Sequence, residues 1–218
     1  MSELNSKCWY KDVCRNKKCV GCIRYAEMNY LMQHCGLPEA KQRPIDLYPK
    51  TDNDLKMFQH LAGIKDNIVE FVNSGDNLYI ASKYSGNGKT SWAINLLFKY
   101  FDQVWAGNGF RVRGLFIHVP TFLSEMKDFK NPVPAEHKRE IEECDLVIWD
   151  DIASAELSNF DYGNLLTFVD KRILAEHSNI YTSNIPDAGN LECVVGTRLS
   201  SRIMNCSQIV VFDGKDQR

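Results

Sequence analysis

The chain has 218 residues, 44% hydrophobic and 25% charged, with a net charge of −2. That length supports one sizeable α/β core plus a small appendage, and the composition is ordinary for a soluble globular protein. No apolar run approaches the ~20 residues of a membrane span, and the polar start lacks a signal-peptide core, so a cytoplasmic protein with no membrane contact is expected.

Residues 1–50 carry nine Lys/Arg against five Asp/Glu in a chain that is acidic overall. This basic end either meets an acidic partner or nucleic acid, or is a solvated face. Four of the eight cysteines crowd into its start, at Cys8, Cys14, Cys19 and Cys22. Four thiolates close a tetrahedral Zn²⁺ site, and a segment this small needs such a metal to fold. Free thiols, or a site that borrows His34 or Cys35, are the alternatives. The remaining cysteines, Cys35, Cys144, Cys193 and Cys206, sit among apolar residues and read as small core side chains.

Residues 23–35 read as a helix with Tyr25, Met28, Met32 and Cys35 on one face, ended by Gly36 and Pro38. That face either packs on the cysteine knuckle or adapts to a partner protein. The prolines within residues 38–50 mark a linker. Residues 1–37 are therefore expected to form a zinc module and 51–218 the main domain. Thr51 opens a helix with Leu55, Phe58, Leu61 and Ala62 inward. A second helix is expected from Lys65 to Val72.

The most informative stretch follows. Leu78 to Ala81 is an apolar strand, Ser85-Gly86-Asn87-Gly88-Lys89-Thr90 a glycine-rich turn, and Ser91 to Phe98 a buried helix. Strand, glycine loop and helix in this order form the context of a phosphate-binding P-loop. Backbone amides of Ser85, Gly86, Asn87, Gly88, Lys89, Thr90 and Ser91 would cradle ATP phosphates. Lys89 would reach the outer phosphates and Thr90 would hold Mg²⁺. A turn that happens to end in Lys-Thr is the competing reading. The usual first glycine is replaced by Lys83, whose effect is open.

Residues 105–109 form a turn-rich break, 114–119 a strand, and Pro120 opens a helix. Asp145 to Asp150 is an apolar strand that ends in two carboxylates, Asp150 and Asp151. After a P-loop, the first fits the Mg²⁺ shell and the second the polarisation of an attacking water. Residues 157–175 read as a helix with Leu165, Leu166, Phe168, Val169 and Ile173 inward. Residues 180–184 are a strand, 199–204 a helix and 209–212 the last strand. Strands alternating with helices predict a five-stranded parallel sheet with helices on both faces.

Together, Ser85–Thr90, Leu146–Ile152, Thr182-Ser183-Asn184 and Gly196–Arg202 occur in the order found in AAA+ ATPases, and the chain resembles their DnaC/DnaI helicase-loader group. The cysteine-rich start is similar to that of phage and Firmicutes loaders. The resemblance implies an ATP-dependent loader of the replicative hexameric DNA helicase, slow in hydrolysis when alone. Lys89, Asp150, Asp151, Asn184 and Arg202 would be its catalytic set. Asn184 would be sensor 1, and Arg202, with Arg198 as runner-up, an arginine finger acting on a neighbouring subunit's nucleotide. Surface ion pairing is the plainer reading of both arginines.

Assembly into a homo-oligomer, binding of the helicase by the N-terminal module and contact with single-stranded DNA follow from the same resemblance. Arg111, Arg113 and residues 127–130 are the candidates for DNA, with Phe110, Phe122 and Phe129 either stacking bases or packing the core. With the last strand so near Arg218, no helical lid is expected after it. An IstB-type transposition ATPase and a nucleotide-holding module without turnover are the competing functions.

Overall fold

A computed structural model describes residues 8, 10, 14, 22–42, 45–104, 110–154 and 156–215. Cys19 and the turn-rich break at 105–109 lie outside the described residues. In chain order the elements are α1 (Ile23–His34), α2 (Asp52–Asp66), α3 (Ile68–Asn73), β1 (Asn77–Ala81), α4 (Lys89–Gln103) and β2 (Gly114–His118). There follow α5 (Val119–Met126), α6 (Ala135–Glu143), β3 (Leu146–Asp150), α7 (Asn159–Leu174), β4 (Ser178–Ser183), α8 (Ala188–Val195), α9 (Thr197–Asn205) and β5 (Ser207–Val211).

The five strands form one parallel sheet in the order β2-β3-β4-β1-β5. β1, β3 and β4 are buried along their whole length, as expected of strands in a sheet covered on both faces, although β4 carries Ser178, Asn179, Thr182 and Ser183 among its buried side chains. Alternation then assigns each side chain to a layer. Leu78, Ile80, Ile148 and Ile180 pack with α1 to α4, while Tyr79, Val147, Trp149 and Tyr181 pack with the residues of α5 to α9.

Helix α1 is part of this body. Met28, Leu31, Met32 and Cys35 are buried in the same core as α4, while Tyr25 of the expected stripe is half-buried. The Phe116 amide donates to the Cys35 carbonyl at 2.6 Å, so the end of α1 closes the outer edge of β2. Gly36 makes this approach possible. Its φ is +72°, and a Cβ there would lie 2.8 Å from the Phe116 carbonyl oxygen.

The long helical region before β1 differs from the expected one. α2 continues to Asp66, the chain turns at Asn67, and a short α3 follows. Leu55 and Ala62 are exposed, whereas Asp54 is buried. The Asp54 carboxylate accepts the amides of Asp213 and Gly214 at 3.1 and 3.3 Å, so a polar bond to the C-terminal segment takes the inward position. α8, absent from the sequence reading, is capped by Asp187, which accepts the Asn190 amide at 2.9 Å. Cys35 and Cys144 are core side chains, but Cys193 and Cys206 are exposed.

At the end of the sheet away from the P-loop, Arg172 is completely buried. Its guanidinium donates to the carbonyls of Ile141, Cys144 and Ser178 and to Asn179 Oδ1, at 2.6–2.8 Å. Asn179 in turn donates to Asn77 Oδ1 at 2.8 Å and accepts from Trp149 Nε1 at 3.0 Å. α6, α7, β3, β4 and β1 are thus joined by one polar network inside the fold.

Candidate nucleotide-binding site

The strand order places the C-terminal ends of β3, β4 and β1 side by side. Open parallel sheets bind ligands at this edge, because the loops leaving neighbouring strands converge there. The loop after β1 leads into α4, whose N-cap Gly88 has φ +95°, and Gly86 has φ +72°. These are the two positions where the turn needs glycine. Among described non-glycine residues only Asp151 and Glu176 have positive φ, so Lys83 stands where an L-residue is unstrained. Lys83 is exposed, and its charge adds to the Asn190 hydrogen bonds that hold the Asp187 carboxyl below its usual range.

Lys89 is buried within the loop. Its Nζ donates to the Tyr84 carbonyl at 2.8 Å and to Asn87 Oδ1 at 3.3 Å. The Asn87 side chain is also buried and donates to Ser82 Oγ and to the Gly214 carbonyl. That side chain ties the loop to the C-terminal segment. Ser85, Gly86 and Ser91 complete the turn and the first helical residues around it.

Thr90 Oγ1 donates to Asp150 Oδ1 at 2.7 Å, and Thr182 Oγ1 donates to the same oxygen at 2.7 Å. Thr182 also accepts the Asp151 amide at 3.0 Å. One hydroxyl on β4 therefore joins the two carboxylates that end β3. Asp151 takes φ +61°, and Asn184 Nδ2 lies 3.4 Å from its Oδ1. Burial pushes the Asp151 carboxyl above its ordinary pKa, the Asp150 charge adds to this, and His118 and Lys89 oppose it. His118 ends β2 in register with Asp150.

The P-loop faces a cavity of about 420 Å³. Gly86 to Ser91 line one side, and Ile45, Asp46, Leu47, Tyr48 and Lys50 line the other. Asn95 of α4 fastens this strap: Ile45 N donates to Asn95 Oδ1 at 3.1 Å, and Asn95 Nδ2 donates to the Ile45 carbonyl at 2.8 Å. A Cβ on Gly88 would sit 3.1 Å from Leu47 Cδ2. The strap, Asn95 and His118 had no functional role in the sequence reading, and Thr182 appeared there only as part of the Thr182-Ser183-Asn184 motif. The polar Asn95 within an otherwise apolar helical run was the available signal for one of them.

The structure does not join Arg202 to this cluster. Arg202 Nε and Arg198 NH2 both pair with Asp170 of α7, at 2.7 and 2.8 Å. Arg111 and Arg113 pair with Asp145, just before β3 and so away from the P-loop edge. Lys127 pairs with Asp161 at 2.6 Å. Phe122 is core, whereas Phe110 and Phe129 are exposed, Phe110 lying against Tyr30.

A carboxylate and a hydroxyl beside a glycine-rich turn at a helix N-terminus suit Mg²⁺, which keeps several waters and takes one or two carboxylates plus substrate oxygens. Asp150 and Thr90 supply that donor pair. Of the expected zinc ligands, Cys8, Cys14 and Cys22 are half-buried and Cys19 lies outside the described residues. Among the described residues no three His, Cys, Asp or Glu side chains are gathered for a metal, and no helix is long and apolar enough to cross a membrane.

A parallel sheet in this order, with a glycine loop and helix after β1 and helices on both faces, is a fold shared with solved structures of DNA-replication proteins. The DnaC helicase loader shares it at a TM-score of 0.65 and 18% identity, covering 76% of this chain and 93% of that one. DnaI does so at 0.65 and 18% identity, covering 84% and 94%. A replication initiator DnaA bound to AMPPCP and single-stranded DNA matches at 0.62 and 15% identity, covering 77% of this chain and 49% of that one. At these identities the likeness is one of fold. No protein-family model matches the chain, and no curated protein matches its sequence.

Proposed function

We propose that this protein is an ATP-dependent loader of a replicative hexameric DNA helicase. The observation that carries the nucleotide part is the union of P-loop and acidic strand end through Asp150, which accepts from Thr90 and Thr182. The loader part is supported by a fold shared with DnaC and DnaI over most of all three chains.

The residues then take these roles. Amides of the 85–91 turn bind the ATP phosphates, and Lys89 exchanges its contacts to Tyr84 and Asn87 for phosphate oxygens. Thr90 and Asp150 hold Mg²⁺, which when bound neutralises charge on the outer phosphates. Asp151 orients the attacking water and accepts its proton. Asn184, already beside Asp151, fixes that water's direction. Arg202 of one subunit reaches the nucleotide of the next, so hydrolysis is slow in the monomer. Cys8, Cys14, Cys19 and Cys22 supply a four-thiolate set for Zn²⁺ in a helicase-binding N-terminal segment. Single-stranded DNA is the second partner, as in the DnaA complex.

The test is to mix the full chain with replicative hexameric helicases and size the complexes with and without ATP. A complex that forms with wild type, and whose ATP response is lost in Lys89→Ala, is expected. No association under either condition refutes the loader reading. Phosphate release that is equally negligible in wild type and Asp151→Asn would instead favour a nucleotide-holding module.

A further inference from the structure

The segment after β5 is bonded to the loop before α4, and one buried side chain makes the join. Asn87 is 1% exposed. Its Nδ2 donates to Ser82 Oγ and, at 3.4 Å, to the Gly214 carbonyl. An amide nitrogen has two hydrogens to give, so these two acceptors set the side chain's orientation. Oδ1 is then turned to Lys89 Nζ, from which it accepts at 3.3 Å, and Lys89 is its one donor among the described residues. The C-terminal segment is held from its far side by Asp54, also 1% exposed. Asp54 Oδ1 accepts the amides of Asp213 and Gly214, and Thr51 Oγ1 donates to Asp213 Oδ1. The fit is tight: a Cβ on Gly214 would collide with Asp54 Oδ2 and lie 3.2 Å from Lys50 Cβ. One line of hydrogen bonds thus runs from α2 through the C-terminal segment and Asn87 to Lys89.

We propose that this line is an autoinhibitory latch: the docked C-terminal segment holds Asn87 in the orientation that retains Lys89, so that segment docking and ATP binding oppose each other. The inference rests on the nucleotide-binding reading of the 85–91 turn. When Lys89 gives up Asn87 for phosphate oxygens, Asn87 Oδ1 is left buried without its donor. An unmet buried acceptor carries its full desolvation penalty. The side chain escapes that penalty by turning, and turning withdraws Nδ2 from the Gly214 carbonyl. The segment then loosens from Asp54. Coupling through one two-state element is reciprocal, so ATP loosens the segment by the same factor by which docking weakens ATP.

Two measurements on the full chain test this, with a fluorescent ATP analogue as the probe. The first is hydrogen exchange at the Asp213 and Gly214 amides. Saturating analogue is expected to speed it about three- to tenfold, the scale of one net hydrogen bond. The second is analogue affinity in Gly214→Ala, whose added methyl undocks the segment without touching the sheet. Affinity is expected to rise by about the same factor. Asp54→Ala, which removes the acceptor of both amides, should do likewise, and Asp54→Asn, which keeps an acceptor oxygen, should stay near wild type. In an Asn87→Ala background Gly214→Ala should have no further effect, because the path runs through that side chain. Amides at 213 and 214 that exchange equally with and without bound analogue overturn the latch and leave the nucleotide reading intact. Unchanged or weaker binding in both Gly214→Ala and Asp54→Ala overturns it too, since a segment that merely supports the loop costs affinity when undocked. An equal gain from Gly214→Ala when Asn87 is already replaced overturns the path and the proposal with it. No analogue binding by wild type removes the nucleotide reading and the latch together.

Discussion

Thr182→Val removes the hub of the site with almost no change of shape. The hydroxyl of Thr182 is a donor to Asp150 and an acceptor for the Asp151 amide, and the side chain is buried. Valine fills the same space, so the packing cost is small and the polar loss dominates. A hydrogen bond to a charged acceptor contributes about 1.5–3 kcal/mol and a neutral one about 1, with more lost when a buried partner is left unmade. Asp150 keeps the Thr90 donor, which limits its share. The sum is about 2–4 kcal/mol. In a chain of this size about 1 kcal/mol moves Tm by ~2–4 °C, so a fall of roughly 4–16 °C is expected. Thr182→Ser keeps the hydroxyl and should recover most of the loss. Urea unfolding of the three proteins gives the comparison directly. A Thr182→Val variant within about 0.5 kcal/mol of wild type would refute the view that this hydroxyl holds the two carboxylates in place.

Arg172→Met should cost about 3–5 kcal/mol in urea unfolding, because four buried acceptors lose their donor at once; a loss under about 1 kcal/mol would contradict the network. Cys193 and Cys206 should react with a thiol reagent at neutral pH, and Cys35 and Cys144 only after unfolding. Burial pushes the Cys144 thiol from 9.0 up to about 11. The unfolded thiol therefore loses its proton first, so this group's contribution to stability is present below its unfolded pKa and lost as pH rises toward about 11. A midpoint insensitive to Cys144→Ser across that interval would count against it. Metal analysis of the purified chain should find one zinc per molecule, and absence of stoichiometric zinc removes the four-cysteine proposal.

Local pattern was enough for much of the fold. The apolar runs at 78–81 and 146–149 and the short strand read at 180–184 became the three innermost strands, the first two because burial on both faces favours continuous apolar side chains. Gly86, Gly88, Lys89 and Thr90 announced the turn, since positive φ and a helix start leave a local signature. The 159–174 helix buries Leu165, Phe168 and Val169, as their spacing implied. Other features had no such trace. Leu55 looked like a core residue, yet Asp54 is inside, because its partner is the backbone 159 and 160 residues further on. The α1 stripe looked as though it belonged to a separate module, but its buried residues share a core with α4.

What the sequence determined by itself is therefore chemical and local: a glycine-rich turn between a strand and a helix, a pair of carboxylates after a strand, and parallel α/β architecture. What only the tertiary structure decided is who meets whom. Strand order brings Thr182 to Asp150 and Asp151, Asn95 pulls residues 45–50 over the P-loop, and α7 sets Asp170 beneath two arginines. The physical reason is that periodicity and turn chemistry are encoded within a few residues. A hydrogen bond between strands or helices depends on how distant segments pack, and it leaves no spacing to read.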